Sequence, residues 1–204
     1  MSGVSHEIET LFRAGAAQAS RALAAWLDRP ASLVVERLES LPLADAVAVL
    51  GRGDEPICGA GMQVAGGLGG VILLTAPDAV GLILADLVLG RSPGTSRAWH
   101  DLERSAVMET ANIVGCRYLN PLATGLGVED AGALIPSPPC FVRDFPATVM
   151  QAALSMQTAE SDSVLLATTE FSIDGVPTRC GLVFVPDAAA LGRLAAAGGR
   201  GRPA

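Results

Sequence analysis

An internal repeat constrains the fold of this chain more than any other feature of its sequence. Residues 70–82 (GVILLTAPDAVGL) resemble residues 181–191 (GLVFVPDAAAL). Each copy has a short apolar run typical of a buried strand, then Pro-Asp, then a helical pattern. Asp78 and Asp187 are therefore predicted to lie at helix N-termini, where an acidic side chain caps or stabilises the first turn. A duplicated strand–helix unit indicates two halves of similar design.

Each half contains further elements before its repeat unit. Long helical patterns span about residues 6–27 and 100–123. Strand-like segments follow these helices at residues 33–39, 44–50 and 57–64 in the first half, and at residues 125–134, 163–172 and 179–185 in the second. Several connections between strands are short enough for hairpins. We therefore predict an α+β fold with pseudo-twofold duplicated halves, in which long helices pack on a mixed or antiparallel sheet.

The repeat also defines the domain organisation. Residues 1–204 are predicted to form a single domain with halves at about 5–90 and 97–197. The linker, residues 91–96, lies in a segment rich in Gly, Ser and Pro, which interrupt regular structure. Residues 198–204 are predicted to be a disordered tail.

The composition excludes several classes of function. The formal charge of −7 argues against a surface for nucleic-acid phosphates. All 14 basic residues are Arg, so the chain has no Walker-type Lys, Schiff-base Lys or Ser-Lys dyad. The four Cys are scattered without a CxxC pair, and there are only two His, so no metal site is predicted.

The apolar stretch at residues 68–90 is interpreted as a buried strand followed by a helix. Pro77 and Asp86 interrupt it, so no membrane insertion is expected. No signal peptide is recognised, and four free thiols are consistent with a cytoplasmic protein.

Residues 105–121 (SAVMETANIVGCRYLNP) are the strongest candidate for a functional site. Glu109 and Asn112 lie three residues apart in a predicted helix and so share one face, with Ser105 and Cys116 on the same side. Asn is unfavourable inside helices because its amide competes for backbone hydrogen bonds. Glu109 has no basic residue three or four positions away, so no local ion pair accounts for it. The opposite face is apolar and carries Val107, Ala111, Val114 and Tyr118.

Structural roles for these polar residues stay open when the residues are considered alone. Glu109 is also consistent with a solvated helix face, and Asn112 with a polar contact between helices. Cys116 is interpreted as a small packed residue rather than a reactive thiol. Ser105 is interpreted as a polar residue near the helix start, because neither His of the chain has the context of a catalytic triad.

The motif helix continues with Gly115, Tyr118 and Asn120, and Pro139 follows downstream. This pattern, together with the duplicated halves and their strand–Pro-Asp–helix endings, resembles the CheC-type phosphatases of bacterial chemotaxis. These belong with CheX and with the FliY and FliM switch proteins. The resemblance covers nearly the whole chain and implies a CheC-like fold.

The resemblance also implies a reaction and a division of roles. The activity would be hydrolysis of the aspartyl phosphate of a CheY-like response regulator. Asn112 would orient the attacking water, and Glu109 would hold the regulator by pairing with a Lys of its active site. Ser105 and Pro139 would contact the partner. No cofactor is expected in this chain, because the Mg2+ would belong to the regulator.

The first helix departs from the two-site pattern of the family. One alignment of residues 6–27 puts Ile8 and Leu11 at the Glu and Asn positions, and another puts Glu9 and Phe12 there. Neither alignment provides an Asn, because none occurs before the second helix. We therefore predict one working site rather than two.

Two other functions stay possible at this level, both without catalysis. The chain resembles flagellar switch proteins that use the same fold to bind CheY without hydrolysis. It could also be an adaptor for CheD, the receptor deamidase that some CheC proteins bind.

Overall fold

A computed structural model describes residues 6–50, 54–128, 134–155, 163–174 and 176–199. Within these ranges the chain has six helices and a seven-stranded sheet. The helices are α1 (His6–Leu27), α2 (Leu43–Ala46), α3 (Asp78–Val88), α4 (Asp101–Gly125), α5 (Pro146–Ser155) and α6 (Ala188–Gly199). The strands are β1 (Ala31–Pro42), β2 (Ile57–Ala65), β3 (Gly70–Pro77), β4 (Ile135–Pro136), β5 (Cys140–Asp144), β6 (Ser163–Ile173) and β7 (Val176–Pro186).

The sheet joins the two halves through antiparallel pairs. Its order is β1-β6-β7-β3-β2, and both β4 and β5 pair with β2. The two strands of the internal repeat pair at the centre, from Gly70 opposite Pro186 to Thr75 opposite Gly181. β1 of the first half pairs with β6 of the second, and β5 of the second pairs with β2 of the first. The halves thus exchange their outer strands, and the predicted α+β fold with pseudo-twofold halves is confirmed.

Two apolar cores lie on opposite faces of the sheet. Alternate residues of a strand point to opposite faces, and in β3 Ile72 and Leu74 join one core while Val71 and Leu73 join the other. The larger core is covered by α1, α3, α4 and α6. The smaller core is covered by α2 and α5. The candidate site therefore belongs to the helical layer over the larger core.

The two long helices pack antiparallel against each other. Gly15 of α1 faces Tyr118 of α4, whereas Trp26, near the end of α1, donates from Nε1 to Oγ1 of Thr110 at 3.3 Å. A Cβ at Gly15 would overlap the carbonyl oxygen of Tyr118. Glycine at this position therefore permits the two helix backbones to approach closely.

A polar network holds the linker between the halves against α4. Asp86 is fully buried and accepts hydrogen bonds from the backbone N–H of Thr95 (2.8 Å) and the hydroxyl of Ser96 (2.6 Å). Arg91 forms an ion pair with Glu103, in the first turn of α4, at 2.6 Å. The hydrogen bond from Arg91 is the main cause that lowers the pKa of Glu103 to about 2. Buried carboxylates therefore fix the path of the linker.

The boundaries proposed for the two halves stay a prediction. α6 extends to Gly199, and residues 200–204 of the predicted tail lie outside the described residues.

The strand predicted at residues 44–50 is wrong. This segment forms the short helix α2 followed by a turn. Its apolar residues, among them Ala46 and Val49, pack on the smaller core. Their apolar spacing therefore arises because they cover a face of the sheet, not because they form one of its strands.

The strand predicted at residues 125–134 is also wrong where it can be compared. Gly125 is the last residue of α4, and Gly127 follows with φ of 65°, the left-handed conformation that commonly ends a helix. Residues 129–133 lie outside the described residues. The outer strand of the second half is instead β5, which the sequence did not predict, and α5 follows it.

The apolar stretch at residues 68–90 forms β3 and α3, as predicted. None of the helices in the described part of the chain is long and apolar enough to cross a membrane.

Candidate functional site

The candidate site lies on α4, whose start is fixed by its own first turn. The backbone N–H of His100 donates to Oε2 of Glu103 at 3.2 Å, so the carboxylate satisfies a donor ahead of the helix. Thr110 donates its hydroxyl to the carbonyl of Ala106 at 2.8 Å and is fully buried. The helix runs without interruption through Pro121 to Gly125. The motif residues therefore lie on a continuous, well-anchored helix.

One face of α4 is completely packed. The four residues predicted to be apolar and buried are at most 1% exposed: Val107, Ala111, Val114 and Tyr118. The Tyr118 hydroxyl is paired with Oγ1 of Thr169 at 2.9 Å, and burial raises its pKa above the usual range. This face fixes the rotation of the helix, so the side that carries Glu109 must point away from the core.

The opposite face carries the carboxylate and the carboxamide. Glu109 is exposed and has no hydrogen bond or ion pair with any of the described residues. Asn112 is half-buried, and its Oδ1 accepts a hydrogen bond from the Cys116 thiol at 3.6 Å. Burial is the main cause that raises the pKa of Cys116, so the thiol stays protonated and can donate. The amide of Asn112 is thus held from one side while the carboxylate of Glu109 faces outward.

Ser105 and Pro139 are placed differently relative to this pair. Ser105 is exposed one turn before Glu109 on the same face of α4, as predicted. Pro139 is half-buried in the segment between β4 and β5. Among the described residues no hydrogen bond or ion pair joins Pro139 to the pair on α4, so its role stays a prediction.

The chain shares its overall architecture with several solved proteins, although no family model matches it. FliY of Thermotoga maritima aligns over 99% of this chain and 100% of its own, with a TM-score of 0.72 and 16% identity. The chain has the CheC/CheX/FliY fold. A chain of the FliG–FliM complex of H. pylori aligns over 95% of this chain and 100% of its own, with a TM-score of 0.60 and 13% identity. A chain of the CheX–CheY–BeF3–Mg2+ complex of Borrelia burgdorferi covers 88% of this chain and 97% of its own, with a TM-score of 0.52 and 14% identity.

In this CheC/CheX/FliY fold, α1 occupies the position in the first half that α4 occupies in the second. Unlike α4, α1 does not carry an exposed carboxylate and a carboxamide three residues apart. Of the first aligned pair, Ile8 and Leu11, Ile8 is only 2% exposed. Of the second pair, Glu9 and Phe12, Phe12 is fully buried, so each pair has one residue in the core. Leu11 is half-buried and lies against Gly125. Glu9 is paired with Arg13 one turn away, and hydrogen bonding to Arg13 lowers its pKa.

A polar cleft that the sequence did not predict lies beside the start of α4. Its lining comes from α3, from the segment before α4, from α4 itself and from β5, which only the fold brings together. No short motif could reveal it, because the contributing residues are far apart in sequence. Within the described residues, no group of three or more His, Cys, Asp or Glu side chains could hold a metal ion.

Proposed function

We propose that this chain is a phosphatase that hydrolyses the aspartyl phosphate of a CheY-like response regulator. The proposal is carried by one observation: on one face of a helix whose other face is fully packed, a carboxamide lies beside an exposed carboxylate that has no partner among the described residues. The Glu109 carboxylate lacks a partner among the described residues, and the Asn112 amide is held by Cys116 from one side only, so a binding partner can supply the missing contacts. On α4, Glu109 and Asn112 would be the two groups that contact the partner.

The reaction requires little covalent chemistry from this chain. The oxygen of a water forms a bond to phosphorus in line with the aspartyl oxygen, whose bond to phosphorus breaks as the carboxylate leaves. The protons of the water pass to the phosphate product and the solvent. Because the transition state of phosphoryl transfer is loose, placing the water accounts for most of the catalysis. Asn112 would align that water, and its neutral amide would not repel the phosphoryl oxygens.

Glu109 would act on the complex rather than on the bond. Its carboxylate would pair with a Lys beside the phosphorylated Asp of the regulator. A charge pair that loses water on docking fixes the orientation of the two proteins. Ser105, one turn earlier, and Pro139 would complete the contact surface, and the Mg2+ would remain bound to the regulator.

One of the similar solved structures bears on the identity of the partner: the complex of CheX with CheY, BeF3 and Mg2+. BeF3 replaces a phosphoryl group, so that structure holds a phosphorylated-like CheY. Its similarity to this chain supports a CheY-like protein as the partner proposed here.

A binding module without catalysis is the second candidate. Two observations favour it: the described residues include no acid–amide pair on α1, and the fold is similar to that of a chain in the FliG–FliM complex, with a TM-score of 0.60. Binding to CheD stays an expectation of the family resemblance.

Phosphate release separates the two candidates. Phosphorylated receiver domains would be mixed with the chain, and inorganic phosphate would be followed with time. Release faster than the spontaneous rate of the same receiver supports the phosphatase. Saturable binding of the BeF3 complex without faster release would support the binding module.

A further inference from the structure

The cleft beside the start of α4 has a volume of about 560 Å3 and three arginines in its lining. We name it the arginine cleft. Its lining includes Asp78, Arg97, Trp99, Arg104, Phe141 and Arg143. The net charge of the chain is −7, so the three arginines make the cleft a basic region on an acidic protein.

Only part of this positive charge is neutralised within the cleft. Arg143 forms two hydrogen bonds with Asp78, from Nε at 2.7 Å and from Nη2 at 3.1 Å. This pairing is the main cause that lowers the pKa of Asp78, so the carboxylate is charged at neutral pH. Arg104 lies over the Phe141 ring at 5.7 Å from its centre and makes no ion pair among the described residues. Arg97 is exposed and makes no ion pair with the described residues.

Two aromatic rings give the cleft a fixed wall. Trp99 and Phe141 are half-buried, and their ring centres are 4.8 Å apart. Trp99 donates from Nε1 to Oδ1 of Asp78 at 2.9 Å, so the same carboxylate holds both the indole and Arg143. These contacts hold the aromatic wall in place before any partner arrives, which reduces the entropy lost on binding.

The cleft shares one residue, Arg104, with the helix that carries the proposed site. Arg104 and Asn112 are eight positions apart on α4, so at about 100° per residue they lie about 80° apart around the helix. At a rise of about 1.5 Å per residue these two positions lie roughly 12 Å apart along the helix. A receiver domain seated over Asn112 would therefore extend over the cleft.

We infer that the arginine cleft docks an acidic segment on the surface of the phosphorylated receiver. This inference rests on the proposed function and names a second contact for the same partner. A receiver must hold its Mg2+ with carboxylates, so the surface around its phosphorylation site is acidic. Such a surface would be repelled by a chain of net charge −7 unless a basic region met it.

The test compares two double variants that remove the same charge. Arg97→Gln/Arg104→Gln neutralises the cleft, whereas Arg21→Gln/Arg193→Gln neutralises two exposed arginines outside it. Affinity for a receiver–BeF3–Mg2+ complex would be measured by titration at low and moderate salt. We expect the cleft variant to bind about tenfold more weakly than the wild type and to lose part of the salt dependence. The outer variant should bind as the wild type does.

A fluorescence measurement places the contact. The chain has only two Trp, so Trp26→Phe leaves Trp99 as the reporter inside the cleft. A receiver without Trp should change the Trp99 emission with the same midpoint as the titration.

Equal affinity of the two double variants, with unchanged Trp99 emission, would overturn the inference while phosphate release by the wild type still supported the proposed function. Failure of the wild type to bind any BeF3-loaded receiver would overturn both.

Discussion

The two long helices occupy matching positions in the two halves and bury similar apolar faces, yet their outer faces differ in chemistry. On α4 the carboxylate of Glu109 is exposed and unpaired among the described residues. On α1 the nearest carboxylate, Glu9, is already bound by Arg13 one turn away at 2.6 Å. α4 places a carboxamide three residues after its acid, whereas α1 places the buried Phe12 three residues after its own.

The difference shows how the two copies of a duplicated fold can share their packing while their exposed faces carry different chemistry. The buried face of each helix is needed by the common core, so both are retained. The exposed face is free to change, because surface substitutions cost little stability. We therefore interpret α1 as structural and α4 as the functional copy.

Phe12 provides the largest expected effect on stability. It is fully buried, and its ring centre lies 6.1 Å from that of Tyr118 in an edge arrangement. Phe12→Ala should lower the free energy of unfolding by ~3–5 kcal/mol, measured by denaturant titration. Leu11→Ala, at a half-buried position, should cost less. Phosphate release per folded molecule should be unchanged in both, and a specific loss of turnover would show that α1 participates in the chemistry.

Asn112 should dominate turnover. Asn112→Ala should slow phosphate release by ~100-fold, because a water that is no longer aligned reacts far less often. Affinity for the BeF3-loaded receiver should be retained. The matched control is Asn120→Ala, the exposed second Asn of the same helix, which should behave as the wild type. Equal rates for the two variants would remove Asn112 from the mechanism.

Glu109 should contribute to binding. Glu109→Gln should weaken binding of the receiver by about 2 kcal/mol, because the partner cation would be left without its charge pair. Glu9→Gln on α1 is the matched control, and it should leave affinity unchanged. The comparison between the helices fails if both substitutions have the same effect.

The last expected effect concerns acid stability. Glu103 has its pKa lowered from 4.5 to about 2, chiefly by the hydrogen bond from Arg91. A carboxyl group with a lowered pKa stabilises the fold above its unfolded pKa, and this stability is lost as the pH falls toward its folded pKa. The free energy of unfolding of the wild type should therefore fall between about pH 4.5 and 2. That of Glu103→Gln should fall less over the same pH range. Glu9→Gln should change the profile less, because both partners of that pair are largely exposed.

Much of the fold could be predicted from the sequence. The predicted bounds of the first helix match α1, and the repeat unit at residues 70–82 forms β3 and α3 as expected. The prediction failed at residues 44–50 because apolar residues that cover a sheet face have the same spacing as those within a strand. It missed β5 because that strand is short and follows a proline-rich segment.

The site was predictable only in part. The shared face of Glu109 and Asn112 follows from the helical period, so the sequence alone was sufficient to predict it. The hydrogen bond from Cys116 to Asn112 requires a rotamer that the sequence does not specify. The arginine cleft requires β5, α3 and α4 to meet, and the sequence did not predict the first of these.

The stoichiometry of the complex tests the central claim, that only α4 carries a working site. A receiver loaded with BeF3 and Mg2+ would be titrated into the chain by calorimetry. The account predicts saturation at one receiver per chain, with weaker binding for Glu109→Gln and unchanged binding for Glu9→Gln. Two receivers bound per chain, or a single receiver whose affinity depends on Glu9 rather than Glu109, would contradict it.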